Sequence, residues 1–507
     1  MSMETIKKLA ENAAVQLETY PVISGKEKVK RIIKKNLLGQ KIAPIDRYSW
    51  PNALLGEGLL EAFEVTFEKS YLDAVIKHLE QWKKDGLQIH YVDNLMNGSL
   101  ALCIEELING KAAEFYSESE KQRTVMLCQQ ITEKCADWVR KAKKTPDGVL
   151  AYRTQHASWL FADTVGMVCP FLCRYGIQKN DEQLLQLGIL QIQNYLKYGM
   201  DRRTGLPYHG YDETNQIKYG IIGWGRACGW VMKGMAESIL WIPSKMREKR
   251  QLKQAFWNMK DSVSKYQRRD GGFSWQVQAA EGPVDVSAGA MIGNALWAVS
   301  QKGETKQATL TTLEQLSDSF LISVTGGEVH NCSGECHGFA QYPQVYGSYP
   351  WGTGSVLRYL ALKERLEADM RMSVSTAALN NSAKAVSALS AAEEDAADVP
   401  KEKNQNKQGK NKQKKERVPV ELRENEKAES SMTDNDVNDG EKQDKKRKVT
   451  EKSEKSENKE NIQTANGGGN EISDKPKKKP HHRKKRKPAN KEAASVNNAS
   501  ETMEGNV

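Results

Sequence analysis

Every Trp, Tyr and Phe of this 507-residue chain lies at or before Tyr359, and every cysteine at or before Cys336. That break limits what the chain can fold into. Beyond about residue 370 the sequence runs in Lys, Glu, Asn, Ser and Asp with no aromatic residue. Such a segment buries too little apolar surface to offset its chain entropy. The expectation is one large domain over 1–368, long enough for a substantial core, and a disordered, charged, low-complexity tail over 369–507. The tail carries most of the basic runs, at 445–448, 477–479 and 483–487. Runs of this kind bind polyanions weakly through counterion release, and the plainer alternative is a solvated tether.

Helical periodicity dominates the first part. Apolar residues recur at three- and four-residue spacing over 3–18, 26–37, 53–67, 70–84, 95–108, 121–143, 157–175, 181–198, 224–242, 247–267, 286–301, 305–321 and 353–368. Strand-like alternation is scarce, and Gly, Pro and Asn punctuate the joins. About a dozen helices joined by alternating short and long loops suggest an all-α fold, an (α/α)6 barrel whose loops at one rim carry the chemistry. An open helical solenoid is the alternative, weakened by the lack of a repeated motif. Trp50, Asp93, Asp163, His209, Arg226 and Asp285 recur about one hairpin apart, near loop-to-helix boundaries.

Eight cysteines in a chain this long do not make a disulfide framework. Cys169 and Cys173 sit one helical turn apart in an apolar run. Cys332, Cys336 and His337 approach metal spacing but lack a second ligand pair, so reduced thiols are expected and no metal. The N-terminus opens an amphipathic helix without the apolar core of a signal peptide. No segment has the length of a transmembrane helix. The expected compartment is the cytoplasm, with no membrane partner.

The window from Gly205 to Trp230 gathers His209, Asp212, Trp224, Arg226 and Trp230 among glycines. Planar rings stack on pyranose faces, and Arg forks onto a carboxylate, so the window fits the wall of a site for an anionic sugar. A tight turn entering a buried Trp-rich helix explains it equally well. Asp163 is flanked by aromatic and aliphatic residues. Desolvation there favours the protonated form, which suits a general acid, while a helix N-cap is its plain alternative. Asp93 stands just before an apolar helix with the same two options. For Asp285, capping is the stronger expectation. His156 reads as a loop residue and His337 as ambiguous.

These residues resemble a known family. Ser49-Trp-Pro51 with Gly56, His90-Tyr-Val-Asp-Asn94, Phe161-Ala-Asp-Thr-Val-Gly-Met167, Leu206-Pro-Tyr-His-Gly-Tyr211, Gly223-Trp-Gly-Arg-Ala-Cys-Gly-Trp230, Asp285-Val-Ser-Ala288 and Trp351-Gly-Thr-Gly354 occur in one order across 1–368. The set resembles the unsaturated rhamnogalacturonyl hydrolases of glycoside hydrolase family 105, related to the unsaturated glucuronyl hydrolases of family 88. The resemblance implies an (α/α)6 barrel and an intracellular, cofactor-free enzyme. Its substrates would be short oligosaccharides left by a polysaccharide lyase, each ending in a 4,5-unsaturated uronic acid. The implied chemistry is hydration of the C4=C5 bond, so the two-carboxylate spacing rules of ordinary glycosidases do not apply. By position, Asp163 matches the general acid and Asp93 the second aspartate. His209, Arg226 and Trp230 match pocket residues, with Arg226 facing the uronate carboxylate and Trp50 stacking on the sugar.

Two departures stand beside the match. Gly148-Val-Leu-Ala-Tyr152 lacks the His common at its last position, and Phe161 replaces a common Trp. Both lie next to the implied acid and leave the neighbouring sugar open. A sugar epimerase or conventional glycosidase on the same barrel, and a non-catalytic binding scaffold, are the competing readings. Oligomeric state is not legible.

Overall fold

The computed structural model describes residues 2–21, 25–36, 46–153, 156–300, 307–336, 338–339 and 341–369. The expected disordered tail and His337 lie outside these residues. Among them thirteen α-helices follow one another: α1 Met3–Thr19, α2 Gly25–Asn36, α3 Trp50–Thr66, α4 Lys69–Lys84, α5 Met96–Ile108, α6 Glu118–Lys141, α7 Ala162–Gln178, α8 Glu182–Tyr198, α9 Gly225–Trp241, α10 Arg247–Ser264, α11 Val286–Ser300, α12 Gln307–Ser323 and α13 350–369. Each corresponds to one expected helix.

Burial sorts twelve of them, all but α2, into two rings. In α7, every residue from Thr164 to Gly176 is buried, and α11 is buried from Val286 to Val299. A helix buried on all sides belongs inside a larger fold. The second set shows single apolar stripes, as Tyr71, Leu72, Val75, Ile76, Leu79 and Trp82 do on α4, and Leu252, Phe256, Met259 and Val263 on α10. The inner ring is α3, α5, α7, α9, α11 and α13; the stripes of α1, α4, α6, α8, α10 and α12 cover it. This is an (α/α)6 barrel.

Glycine closes the ring. A Cβ on Gly56 would meet Leu100 at 2.7 Å, on Gly98 Phe171 at 2.6 Å, and on Gly166 Trp230 at 2.6 Å. On Gly229 it would meet Met291 at 2.6 Å, on Gly293 Tyr359 at 2.4 Å, and on Gly354 the Leu54 carbonyl at 2.4 Å. All six junctions between neighbouring inner helices therefore rest on a residue with no side chain, and the last one joins α13 back to α3.

About two turns below the rim, charges fill the barrel. Lys233 Nζ lies 2.8 Å from Glu57 Oε1 and 2.7 Å from Glu237 Oε2. Arg358 Nη1 lies 2.8 Å from Glu57 Oε2 and 2.7 Å from Glu237 Oε1. Two cations and two carboxylates thus form a buried square across α3, α9 and α13. Removing one corner strands charge in a medium that cannot solvate it. Lys233→Met is expected to lower unfolding stability by about 3–5 kcal/mol in urea titrations. A loss below ~1 kcal/mol, as for exposed pairs, would mean that water already solvates the square.

One expected helix starts late. Residues 157–161 are not helical: Trp159–Phe161 form strand β1, paired antiparallel with β2 (Gly210–Asp212), which pairs with β3 (Ile217–Tyr219). Three aromatic or aliphatic residues fit a pleated edge, and tertiary pairing overrides their weak helical spacing. The eight cysteines are free, with Cys169 and Cys173 both buried on α7. No helix among the described residues is long and apolar enough to cross a membrane.

Candidate active site

The chosen residues gather where the inner helices begin. Trp50 opens α3, Asp93 lies in a 3-10 turn (Val92–Leu95) entering α5, and Asp163 and Arg226 occupy the first turns of α7 and α9. Asp285 stands one residue before α11, and Trp351 is in the first turn of α13. Helix N-termini carry positive partial charge and unpaired N–H groups, so this rim favours an anion.

Asp163 and His209 are distant in sequence, and the small sheet unites them. Phe161 pairs with Gly210, and Ala162 N–H donates to the His209 carbonyl at 2.9 Å. His209 Nε2 then lies 3.5 Å from Asp163 Oδ2. Its Nδ1 lies 2.9 Å from the Tyr342 hydroxyl, which accepts the Ile221 N–H at 3.3 Å. When Tyr342 in turn donates to Nδ1, the Nε2 proton faces Asp163. The imidazole is buried among Phe161, Trp224 and Phe339. Phe339 packs so closely on Gly210 that a Cβ there would come within 2.1 Å. Asp163 itself is at the lip of the cup, 14% exposed, and its Oδ2 has no hydrogen-bond partner. It is not the N-cap; Phe161 holds that position and leaves the carboxyl free.

Asp93 is buried, with Oδ2 accepting the Trp50 N–H at 3.3 Å and Oδ1 unpartnered. It therefore serves the first turn of α3, not that of α5. Desolvation, then the nearby Asp46 carboxylate, pushes its carboxyl from the ordinary value up to about 7. Asp46 is itself fixed by Asn94, whose Nδ2 donates to Asp46 Oδ2 at 2.8 Å.

Arg226 is buried and already engaged. Nη1 donates to the Ser333 carbonyl at 2.9 Å and to the Ser333 hydroxyl, and lies 3.4 Å from Asp285 Oδ2; Nη2 donates to the Gly334 carbonyl at 2.7 Å. Asp285 caps α11 through the Ser287 N–H at 3.1 Å and accepts the Ser333 N–H at 3.1 Å. The pair ties the Ser333–Gly334 turn to the rim. Trp230 is fully buried under Trp50, rings 6.1 Å apart and edge-on, while half-buried Trp50 lies 5.1 Å from Trp351. Asp212 holds a turn, accepting the Thr214 N–H at 3.0 Å. Much of the Gly205–Trp230 window is thus the buried helix start that its composition also allowed. His156 is exposed and stacks on Trp159 at 3.9 Å.

The six chosen residues form one connected series. Asp93 touches Trp50, which packs on Trp230 and Trp351. Trp351 lies 5.7 Å from the Arg226 guanidinium, which also covers Trp224 at 5.0 Å. Trp224 packs on His209, and His209 faces Asp163. Sequence reasoning missed Tyr342 and Ser333, which orient His209 and Arg226. Ser333 ends a two-residue strand, Cys332–Ser333, paired with Tyr346–Gly347, and Tyr342 lies between the two strands, so no local pattern marks either as a partner. It registered Tyr152 only as a departure, yet Tyr152 is enclosed beside the site: burial first, and then the charges of Asp93 and Asp163, raise its phenol well above the ordinary value.

Comparison with known proteins bears on the family and the fold. The chain is 24% identical over 325 residues to the unsaturated rhamnogalacturonyl hydrolase YesR of Bacillus subtilis, across 62% of this chain and 89% of that protein. Its fold matches the crystal structure of a possible family 105 member from Klebsiella pneumoniae with a TM-score of 0.61 at 16% identity, over 72% of this chain and 94% of that one. It also matches the unsaturated glucuronyl hydrolase of Bacillus sp. GL1 with a TM-score of 0.51 at 14% identity, over 71% and 96%. The model of Glycosyl Hydrolase Family 88 matches residues 25–365. A barrel with carboxyls at its helix-start rim and a family match across nearly all of that barrel lead to one conclusion: the chain belongs to Glycosyl Hydrolase Family 88, in the group that also holds the family 105 enzymes.

Proposed function

We propose that the rim removes a 4,5-unsaturated uronic acid from the non-reducing end of short rhamnogalacturonan-type oligosaccharides by hydrating its C4=C5 bond. The observation that supports this most is Asp163: a carboxyl at the lip, one oxygen unpartnered, facing His209. Asp163 gives its proton to C4, and the π pair forms the C4–H bond. Positive charge develops at C5 and the ring oxygen. Water adds at C5 and returns a proton to the Asp163 carboxylate. The hemiketal opens by breaking the bond from C5 to the ring oxygen, and the hemiacetal left at C1 releases the rest of the sugar. One residue serves as acid and then base.

Asp93, whose carboxyl holds a proton up to about pH 7, binds a ring hydroxyl through its free Oδ1. Trp50 offers the stacking face. The helix starts and the Arg226 charge favour the uronate carboxylate. Because the Arg226 donors are committed to Asp285, Ser333 and Gly334, Arg226 acts by its field and by holding that turn. The reading places the enzyme in the cytoplasm, on short fragments, with no organic cofactor.

The test is incubation of the purified protein with unsaturated disaccharides from pectin and glycosaminoglycan lyases, following the ultraviolet absorbance of the conjugated enol ether. Absorbance should fall, fastest with the rhamnogalacturonan product. A flat trace on every substrate from a folded protein would remove the hydration reading and favour a binding scaffold or a different sugar reaction.

A further inference from the structure

One helix stands outside both rings. α2, Gly25–Asn36, reads Gly-Lys-Glu-Lys-Val-Lys-Arg-Ile-Ile-Lys-Lys-Asn. It interrupts the connection from outer α1 to inner α3, and that connection ends at Trp50 on the rim. Val29, Ile32 and Ile33 share one face of it, at three- and four-residue spacing, over an arc of about 100°. On a helix of the outer ring such a stripe is buried against the barrel. Here it is bare: the three residues are 56%, 57% and 45% exposed. α6 and α8 are longer, yet each exposes one large apolar residue, Met126 and Leu190.

Charge surrounds that face. Six of the twelve residues are Lys or Arg, and one, Glu27, is acidic. By helical position Lys26 and Lys30 fall to one side of the apolar face, and Lys28 and Lys35 to the other. Face and charge together select the partner. A nucleic acid or an acidic polysaccharide meets the lysines but leaves the apolar face in water. An apolar protein groove covers the face but gains nothing from so much positive charge. A bilayer with anionic head groups takes both: the apolar side sinks to the acyl boundary, and the long lysine stems return their charge to the head groups. Stable attachment to a bilayer takes two signals, and the basic runs at 445–448, 477–479 and 483–487 add polybasic charge to the same chain.

We propose that α2 is a docking helix for an anionic lipid surface, with Val29, Ile32 and Ile33 entering the bilayer and the surrounding lysines meeting its head groups. The helix lies in the plane of the surface and spans nothing. The expectation of no membrane partner rests on the lack of a spanning segment, and a helix that lies on a bilayer needs none. Because the connection that carries α2 leads into Trp50, the barrel is held from the end where its inner helices begin. The inference is independent of the reaction assigned to Asp163: attachment and hydration are separate properties and are measured separately.

Sedimentation of the full chain with lipid vesicles tests it. Vesicles of phosphatidylcholine containing phosphatidylglycerol should carry the protein down, and vesicles of phosphatidylcholine alone should not. Val29→Gln/Ile32→Gln/Ile33→Gln should weaken partitioning at least ~10-fold, since the apolar face no longer gains from leaving water. Lys26→Gln/Lys30→Gln should weaken it ~10-fold and flatten its fall with rising salt. Both variants should keep the wild-type Tm, because α2 belongs to neither ring. A clearly lower Tm in the triple variant would show that the apolar face packs on the barrel, and would overturn the proposal. Vesicle binding that the triple variant leaves unchanged would also overturn it, by assigning the attraction to the basic tail alone. So would a chain that binds a single-stranded oligonucleotide and sediments with neither vesicle, since α2 would then serve a nucleic acid.

Discussion

Asp163→Asn should lose at least ~10³-fold in kcat on an unsaturated disaccharide while KM changes little, since one residue supplies the proton to C4 and takes one from water. An amide of the same shape keeps the lip of the cup intact but holds no acidic proton. The fold should survive, because Asp163 neither caps α7 nor accepts a hydrogen bond at Oδ2. Circular dichroism and calorimetric binding of substrate would confirm an intact, occupied site. The enol-ether absorbance would then report chemistry alone. If the variant kept activity within tenfold of wild type, the donor would have to be Asp93, because the third rim carboxyl, Asp285, is taken up by Arg226, Ser287 and Ser333.

Asp93→Asn should give the opposite pairing of effects, a more stable protein and a poorer enzyme. Burial and Asp46 raise its carboxyl from 3.8 to about 7. Between those values the folded state holds a proton that the unfolded chain releases. Its unfavourable contribution therefore grows as pH rises from 4 to 7 and is complete above that. The gap amounts to at most ~4 kcal/mol. At pH 8 the variant should exceed wild type in urea stability by up to that amount, and near pH 4 the two should coincide. An equal difference at both pH values would show that packing, not charge, drives it. Activity should fall in the same variant, because the free Oδ1 no longer offers a carboxyl to the sugar. Stability given up at a functional group is a common feature of active sites.

Much of this was legible in the chain, for a specific reason. Inner and outer helices each leave a strong signal: long runs buried on all sides in α7 and α11, and single stripes in α4 and α10. Thirteen helices and the six-hairpin barrel follow from that. Asp93, Asp163 and Arg226 were legible because they stand at helix starts. What stayed hidden depends on contacts between distant segments. The strand Trp159–Phe161 is too short to show alternation, and only its pairing with Gly210–Asp212 defines it. Arg226 reads as a free fork in sequence, since nothing near it announces Ser333, more than a hundred residues away. Asp93 looks like a cap for the helix that follows it, whereas the N–H it accepts belongs to Trp50.

The glycine at each junction of the inner ring has a consequence for how such a protein can diversify. The ring is a closed circuit, so widening one junction by a methyl group cannot be absorbed locally; the displacement must reappear at another seam or at the rim. The inner helices are thus poor ground for gradual change. The segments that end at Tyr152, Phe161, Phe339 and Ser333 carry no such constraint on closure, and they surround the rim where Asp163, His209 and Arg226 stand. Substrate range can drift by exchange of these loops while the circuit, and with it the placing of Asp93 and Asp163, stays fixed.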